Sequence, residues 1–356
     1  MGSDTPSMRA PFIFLCAFAL VAHAPRANAE TWTTQSAQTF EGKLSGVYGS
    51  IAVVASPKGG TTLVSVDQLD DPSLVKVADA LDKAGKEPPT WAASTGKVAK
   101  SLRHRLQILK EGKLVDFDPG TRPEPELYLV YFGAHWCRPC REFSPHLVQE
   151  YQRLRELAAD RFELVFVSSD HNRDDQALYA REVGMPWPIL KFSEVGSAGA
   201  IERWEGPAIP DLVVVTRNGD LVYDSFSGNT YLGPQSVIEQ VEPLLGAMNE
   251  SSASCRRALH RPSVLRYLRA SAAATKPPAP YVLSLDPSRY QTLETKHLTA
   301  ILSIDEHGCV RDVKIEPKIP VVLEFQLEEE TGRWLFFPAV VNGQPKPTRV
   351  RLPINF

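Results

Sequence analysis

The chain has 356 residues, 39 Lys plus Arg against 42 Asp plus Glu, a net charge of −3, 43% hydrophobic residues and 23% charged ones. That balance excludes a disordered polar chain, and the absence of a cationic excess argues against general nucleic-acid binding. The length exceeds one ordinary domain, so two or three are expected.

At the N-terminus, Arg9 precedes an apolar stretch over residues 11–22, and Ala27-Asn28-Ala29 supplies the small-x-small pattern of a signal-peptidase site. The stretch is too short for a membrane span. Met8 is a more natural start than Met1, because the first seven residues are polar. Cys16 has no small residues just before it, which argues against a lipid-anchored cysteine. Residues 1–29 therefore read as a signal peptide, and the chain as periplasmic or otherwise exported, soluble after cleavage. Without Cys16, four cysteines remain: Cys137, Cys140, Cys255 and Cys309. An even number suits an oxidising compartment. Cys255 and Cys309 are candidates for a structural disulfide, although connectivity cannot be read from spacing.

Residues 30–84 show short alternating strands at 39–47, 50–55 and 62–66, with Gly59-Gly60 as a turn, then a short helix. This pattern predicts a small β barrel. With Trp32-Thr33 at its start and Val66-Asp67-Gln68-Leu69 at its end, it resembles the Sla-homology type of Src-homology-3-like barrel, which implies a binding or spacer module. Two basic stretches, 97–110 and 256–269, carry apolar residues at helical spacing, such as Val98, Leu102, Leu106 and Leu109. They read as solvated helix faces, with contact to an anionic surface as the alternative.

An apolar run at 127–132 predicts a strand, and residues 141–157 predict a helix, with Phe143, Leu147, Tyr151, Leu154 and Leu157 facing a core and Pro145 kinking its start. Between them lie Trp136-Cys137-Arg138-Pro139-Cys140. Two intervening residues let both sulfurs approach bonding distance with the first at the helix N-terminus, where unpaired N–H groups and the helix dipole favour thiolate. Arg138 adds a positive charge, and Pro139 forgoes an N–H that an early helical position leaves unpaired. Cys137 then attacks a partner's disulfide and Cys140 resolves the mixed disulfide. Half a zinc site or a permanent disulfide has the same letters. A strand at 162–167, a helix around 177–183 and a strand at 212–215 follow, which implies an α/β layer arrangement.

The run from Tyr131 to Pro145, YFGAHWCRPCREFSP, resembles the active-site segment of tryparedoxins and nucleoredoxins in the thioredoxin superfamily. Met185-Pro186-Trp187 after the strand end at 165–170 is similar to that subfamily, and Ile209-Pro210 stands where the superfamily carries its cis-proline. The resemblance covers roughly residues 105–248. It implies a cis bond at Pro210 beside the cysteine pair, with the Ile209 backbone free to pair with an extended substrate segment, and favours Trp136 as a lid over a packed aromatic. Asp211 puts a carboxylate near that groove, where it would discourage acidic substrate segments or raise a thiol pKa; the favoured reading is a solvated strand-end residue. Thioredoxin proper has a buried acid six residues before the first cysteine; here that residue is Tyr131, in keeping with tryparedoxins. The proton acceptor for Cys140 is thus unassigned, and Glu142 is a substitute with nothing further to support it.

Residues 271–280, with four alanines and three prolines, read as a linker. Beyond it, 298–304, the turn Asp305-Glu306-His307-Gly308 and 310–315 read as a hairpin. Trp334-Leu335-Phe336-Phe337-Pro338-Ala339, Asn342-Gly343-Gln344-Pro345 and a closing strand at 348–356 resemble the C-terminal domain of TonB, here over 281–356. The resemblance implies a sheet whose exposed edge accepts a peptide or envelope-protein partner. Asp170, Asn172 and Asp174 imitate a calcium loop, but Asp175 and Arg181 stand where glycine and glutamate are needed, so they read as capping of the next helix.

The expected architecture is α/β: a thioredoxin-like central domain flanked by a small β barrel and a small α+β TonB-C-like domain. The expected function is thiol–disulfide oxidoreduction at Cys137 and Cys140, supported by Trp136, Arg138, Pro139, Ile209 and Pro210, with reduction the favoured direction. No cofactor, metal or nucleic acid is expected; protein disulfides are the substrates, and an unidentified membrane electron donor supplies the reducing equivalents. The alternative is a non-enzymatic envelope adaptor whose cysteines form a permanent disulfide or a metal site.

Overall fold

A computed structural model describes residues 29–84, 89–249, 253–283, 285–293, 295 and 297–356. Except for Ala29, the signal-peptide segment lies outside the described residues.

The N-terminal segment is an antiparallel meander, β1 (Glu30–Thr33), β2 (Thr39–Tyr48), β3 (Ile51–Ala55) and β4 (Thr61–Ser65), followed by α1 (Asp71–Ala84). Gly59 and Gly60 adopt positive φ in the predicted turn, a conformation open to glycine at no steric cost. An isolated bridge between Thr34 and Leu69 draws the ends of the meander together. Trp32, Val54, Val66, Leu69 and Leu74 form the core of this unit.

The central sheet comprises β5 (Leu106–Lys110), β6 (Lys113–Asp116), β7 (Leu127–Gly133), β8 (Phe162–Ser168), β9 (Ile189–Leu190), β10 (Asp211–Thr216) and β11 (Leu221–Asp224). Its order is β11-β10-β7-β8-β9-β5-β6, parallel from β7 to β9 and antiparallel elsewhere. The crossovers are α3 (Arg138–Ala158) and α4 (Arg173–Val183), while α2 (Lys97–Leu102) and α5 (Gly199–Glu202) serve the other face. Alternation places Leu129, Tyr131, Phe166 and Leu212 in the core that holds the cysteines, and Tyr128, Val130, Phe132 and Val213 in the opposite one. Both faces of the strands are covered, which is why they read as continuous apolar runs. A short hairpin, β12 (Phe226–Ser227) and β13 (Thr230–Tyr231), precedes α6 (Pro234–Asn249).

The helical reading of residues 97–110 is corrected here. Only Lys97–Leu102 is helical; His104 turns the chain at φ 62, and Leu106–Lys110 is a strand paired with Ile189–Leu190 and with β6. Val98 and Leu102 from the helix and Leu106 from the strand enter the same core, so apolar residues at helical spacing arise from two elements.

Residues 256–269 fall within α7 (Ala253–Ala270), whose Arg261 and Arg266 pair with Asp71 and Asp79 of α1 at 3.2 and 3.3 Å. Their cations meet a neighbouring helix. The side chain of Cys255 lies outside the described residues, so its expected bond to Cys309 does too.

The C-terminal module contains β14 (Ala279–Val282), β15 (His297–Ile304), β16 (Val310–Glu316), α8 (Val321–Gly332), β17 (Leu335–Phe337), β18 (Ala339–Val341), β19 (Gln344–Lys346) and β20 (Thr348–Asn355). β15 pairs with β16 on one side and β20 on the other, all antiparallel. The expected linker does not hang free: Lys276 exchanges both backbone hydrogen bonds with Val340, and Ala279 opens β14 against β17. Helix α8 had no clear signal, because Val321, Val322 and Phe325 are exposed rather than forming a buried stripe.

Candidate active site

Strand β7 ends at Gly133, a four-residue turn follows, and Cys137 becomes the N-cap of α3. Its Sγ accepts the Cys140 backbone N–H at 3.2 Å, satisfying one of the donors that a helix start leaves unpaired. Pro139, in the first turn, has no N–H to satisfy. Cys137 and Cys140 are joined in a disulfide with their Cα atoms 5.2 Å apart. Both are buried, and Cys140 is completely so.

A second element closes on the pair from the start of β10. The Ile209–Pro210 peptide is cis, and the Ile209 carbonyl oxygen lies 3.7 Å from Cys137 Sγ. Tyr231 of β13 donates its hydroxyl to the Pro210 carbonyl at 2.6 Å. The structure thus brings Cys137, Cys140, Pro139, Ile209 and Pro210 together.

Trp136 is 53% exposed and stacks on His171, ring centroids 5.8 Å apart and planes 7° from parallel, while its Nε1 donates to the Ser169 carbonyl. This exposed, tethered ring beside Cys137 is not a packed core aromatic. Arg138 points outward and pairs with Glu142 at 2.9 Å. Glu142 is therefore engaged at the surface, away from the completely buried Cys140.

Asp170 holds the active-site turn from β8. Its Oδ1 accepts the His135 N–H at 2.7 Å and its Oδ2 accepts the Ser168 hydroxyl at 2.8 Å. Burial raises its pKa, while these two bonds oppose the rise. Asn172 caps α4, accepting the N–H groups of Asp174 and Asp175, in keeping with the capping reading.

Tyr131 occupies a buried hydroxyl cluster: its Oη lies 2.8 Å from Ser144 Oγ, which lies 2.6 Å from Tyr179 Oη. Burial pushes the Tyr131 phenol well above its ordinary pKa, so it stays protonated. Ser144 and Tyr179 carried no sequence signal beyond their places on helices; one follows Cys140 by four residues and shares its helix face.

Asp211 is not a solvated strand-end residue. It is completely buried, its Oδ2 accepts the Gly206 N–H at 2.8 Å, and its Oδ1 has no hydrogen-bond partner. Burial first, with Asp224 and Glu205 adding repulsion, raises its pKa to about 6 against the opposing influence of the Gly206 N–H and the Ser225 hydroxyl. Strand position alone gave no hint, since the loop that covers it is distant in pattern from any periodic run.

Residues 125–221 match the family model described as thioredoxin-like. Bovine nucleoredoxin is 36% identical over 94 residues, 26% of this chain and 21% of that protein. Zebrafish (Danio rerio) nucleoredoxin is 35% identical over 154 residues, 36% of each. Among solved structures, tryparedoxin from Trypanosoma brucei is 28% identical with a TM-score of 0.29, covering 36% of this chain and 85% of that one. Tryparedoxin I from Leishmania major is 27% identical with a TM-score of 0.31, covering 41% and 92%. The chain spans roughly a sixth to a third of the length of the nucleoredoxins it matches. Residues 125–221 thus form a thioredoxin-like segment similar to nucleoredoxins.

Proposed function

We propose that this chain is an exported thiol–disulfide oxidoreductase that reduces protein disulfides through Cys137 and Cys140. The observation that carries the reading is Cys137 at the N-cap of α3, its sulfur accepting the Cys140 N–H and lying against the cis-proline loop. An N–H donor and the helix dipole lower the cost of a thiolate at that atom.

In the reduced protein, the Cys137 thiolate attacks one sulfur of a partner disulfide. A Cys137–partner bond forms, and the partner's other sulfur leaves as a thiolate. Cys140 then gives up its proton, attacks Cys137 Sγ, forms the intramolecular disulfide and releases the second partner sulfur. Two electrons have passed to the partner. The pair must next be reduced by an external dithiol, and for an exported protein that donor is membrane-borne.

Export rests on the apolar stretch at 11–22 and on Ala27-Asn28-Ala29. The C-terminal module, with its TonB-C-like segments, is read as a docking unit for an envelope peptide, and the N-terminal meander as a spacer or binding unit. Two edges, β16 and β20, are available in the three-stranded sheet for strand addition.

The test is Cys140→Ser with capture of Cys137-linked partners, alongside insulin reduction by the unsubstituted chain. Trapped mixed disulfides and reductase activity are expected. A chain that traps nothing and reduces nothing is an adaptor. Fractionation of the full-length protein from its host, with the mature N-terminus sequenced, tests export.

A further inference from the structure

Behind the cis-proline loop lies a carboxylate that disulfide exchange does not use. Asp211 follows Pro210 directly and is fully buried, with Oδ2 on the Gly206 N–H and Oδ1 unpartnered. A buried carboxylate with one oxygen unsatisfied is held in its charged form at a cost.

Strand register fixes which side of the sheet it occupies. Asp211 pairs with Phe132, whose side chain belongs to the core opposite the cysteines, whereas Leu212 pairs with Tyr131 in the cysteine core. Asp211 is therefore on the wrong face to receive Cys140's proton. It is nonetheless two residues from Ile209, whose carbonyl lies 3.7 Å from Cys137 Sγ. The groups facing it are Glu205 and Gly206 on the preceding loop, Asp224 and Ser225 at the end of β11, and Tyr231 on β13; its charged neighbours, Glu205 and Asp224, are both acidic. Around Cys137 stand the α3 N-terminus, Arg138, which is paired with Glu142, and the turn that Asp170 holds through the His135 N–H.

We propose that Asp211 is a positioning residue that couples proton uptake behind the cis-proline loop to the thiolate of reduced Cys137, disfavouring the thiolate when ionised and favouring it when protonated. The proposal rests on the redox reading of Cys137. Its physical basis is repulsion between two anions separated by protein rather than water, which makes them titrate as a pair with shared apparent pKa values. Burial brings Asp211's own titration to about 6, within reach of a helix-capping thiol. As pH falls, the proton taken up by Asp211 offsets part of the loss of thiolate, so the thiol keeps its reactivity further into mild acid.

The probe is iodoacetamide, which needs no protein substrate: the Cys137 thiolate displaces iodide and forms one S–C bond. Alkylation rates are measured from pH 4 to 9 on the reduced full chain carrying Cys140→Ser, with and without Asp211→Asn. Asparagine keeps an oxygen for the Gly206 N–H but carries no charge. The expected result is a profile with two ionisations for the Asp211 chain and one for Asp211→Asn, whose thiol pKa lies about half a unit below that of the ionised-Asp211 chain, a roughly threefold faster rate between the Asp211 and thiol midpoints that vanishes at lower pH, where Asp211 is protonated. Identical single-ionisation curves overturn the proposal. If Asp211→Asn does not fold, the Asp211 carboxyl is followed by NMR in the unsubstituted chain. Its midpoint should rise on reduction of the disulfide, and an unchanged midpoint overturns the proposal. A chain that reduces no protein disulfide but shows the coupled profile refutes the proposed function alone.

Discussion

Tyr231 donates its hydroxyl to the carbonyl oxygen of Pro210 at 2.6 Å, from a hairpin that precedes α6 and lies 21 residues further along the chain. The bond ties the loop whose Ile209 carbonyl lies against Cys137 Sγ. Its ring also packs on Phe226, with centroids 5.0 Å apart, so the side chain is held even without the hydroxyl. Tyr231→Phe should therefore leave the fold intact, costing about 1 kcal/mol of stability. The rate of mixed-disulfide formation should fall about threefold to tenfold as the loop loses its fixed position. Stopped-flow kinetics beside a thermal melt check this; an unchanged rate shows that the loop is positioned without Tyr231.

Asp211 also sets a pH dependence of stability, with a definite sign. Its pKa is about 6 in the fold against 3.8 for the free side chain, so between those values the native state binds more protons than the unfolded one. Stability then falls as pH rises through this window, by an amount on the order of 3 kcal/mol once Asp211 is ionised in both states. Asp211→Asn should flatten that part of the profile. Denaturant midpoints at pH 4.5 and 7.5 for both chains are the measurement; equal pH dependence in the two counts against the assignment.

The contrast between Cys137 and Asp211 shows how much could be read beforehand. The strand at 127–132, the helix after it, and the residues of the CxxC segment are local patterns in which apolar runs and capping chemistry agree, so their elements and mutual placement follow from neighbouring letters. Asp211 depends on a loop, Gly206, and a hairpin, Tyr231, that reach it only after the chain has folded. The same holds for residues 97–110, where Val98 and Leu106 share a core from a helix and a strand, and spacing alone imitates one helix. In the linker, prolines and alanines spoke for a free tether, but the backbone groups of Lys276 were claimed by Val340.

Asn172 offers a test of the capping reading that is independent of redox chemistry. Its side chain accepts from Asp174 and Asp175 and donates to the Asp175 carboxylate at 2.7 Å. Asn172→Ala should cost about 1 kcal/mol, whereas Asn172→Gly should cost only a few tenths. Thermal melts of the two variants, compared with the parent, rank them. Equal losses would mean that the cap contributes nothing beyond backbone conformation.

Tyr131 stands where thioredoxin has a buried acid, and its phenol is driven far above its usual range by burial. A group that holds its proton at every working pH cannot take one from Cys140 as a base. Its role is then structural, through Ser144 at 2.8 Å and onward to Tyr179. Tyr131→Phe removes one hydroxyl and leaves Ser144 bonded to Tyr179, so about 1 kcal/mol should be lost. Ser144→Ala should cost more, about 1–3 kcal/mol, because it strips the short partner from two buried phenols that are themselves 3.5 Å apart. Neither substitution should move the midpoint of the pH–rate profile for release of the mixed disulfide. A midpoint displaced by Tyr131→Phe would make the phenol part of the proton path and refute the structural assignment.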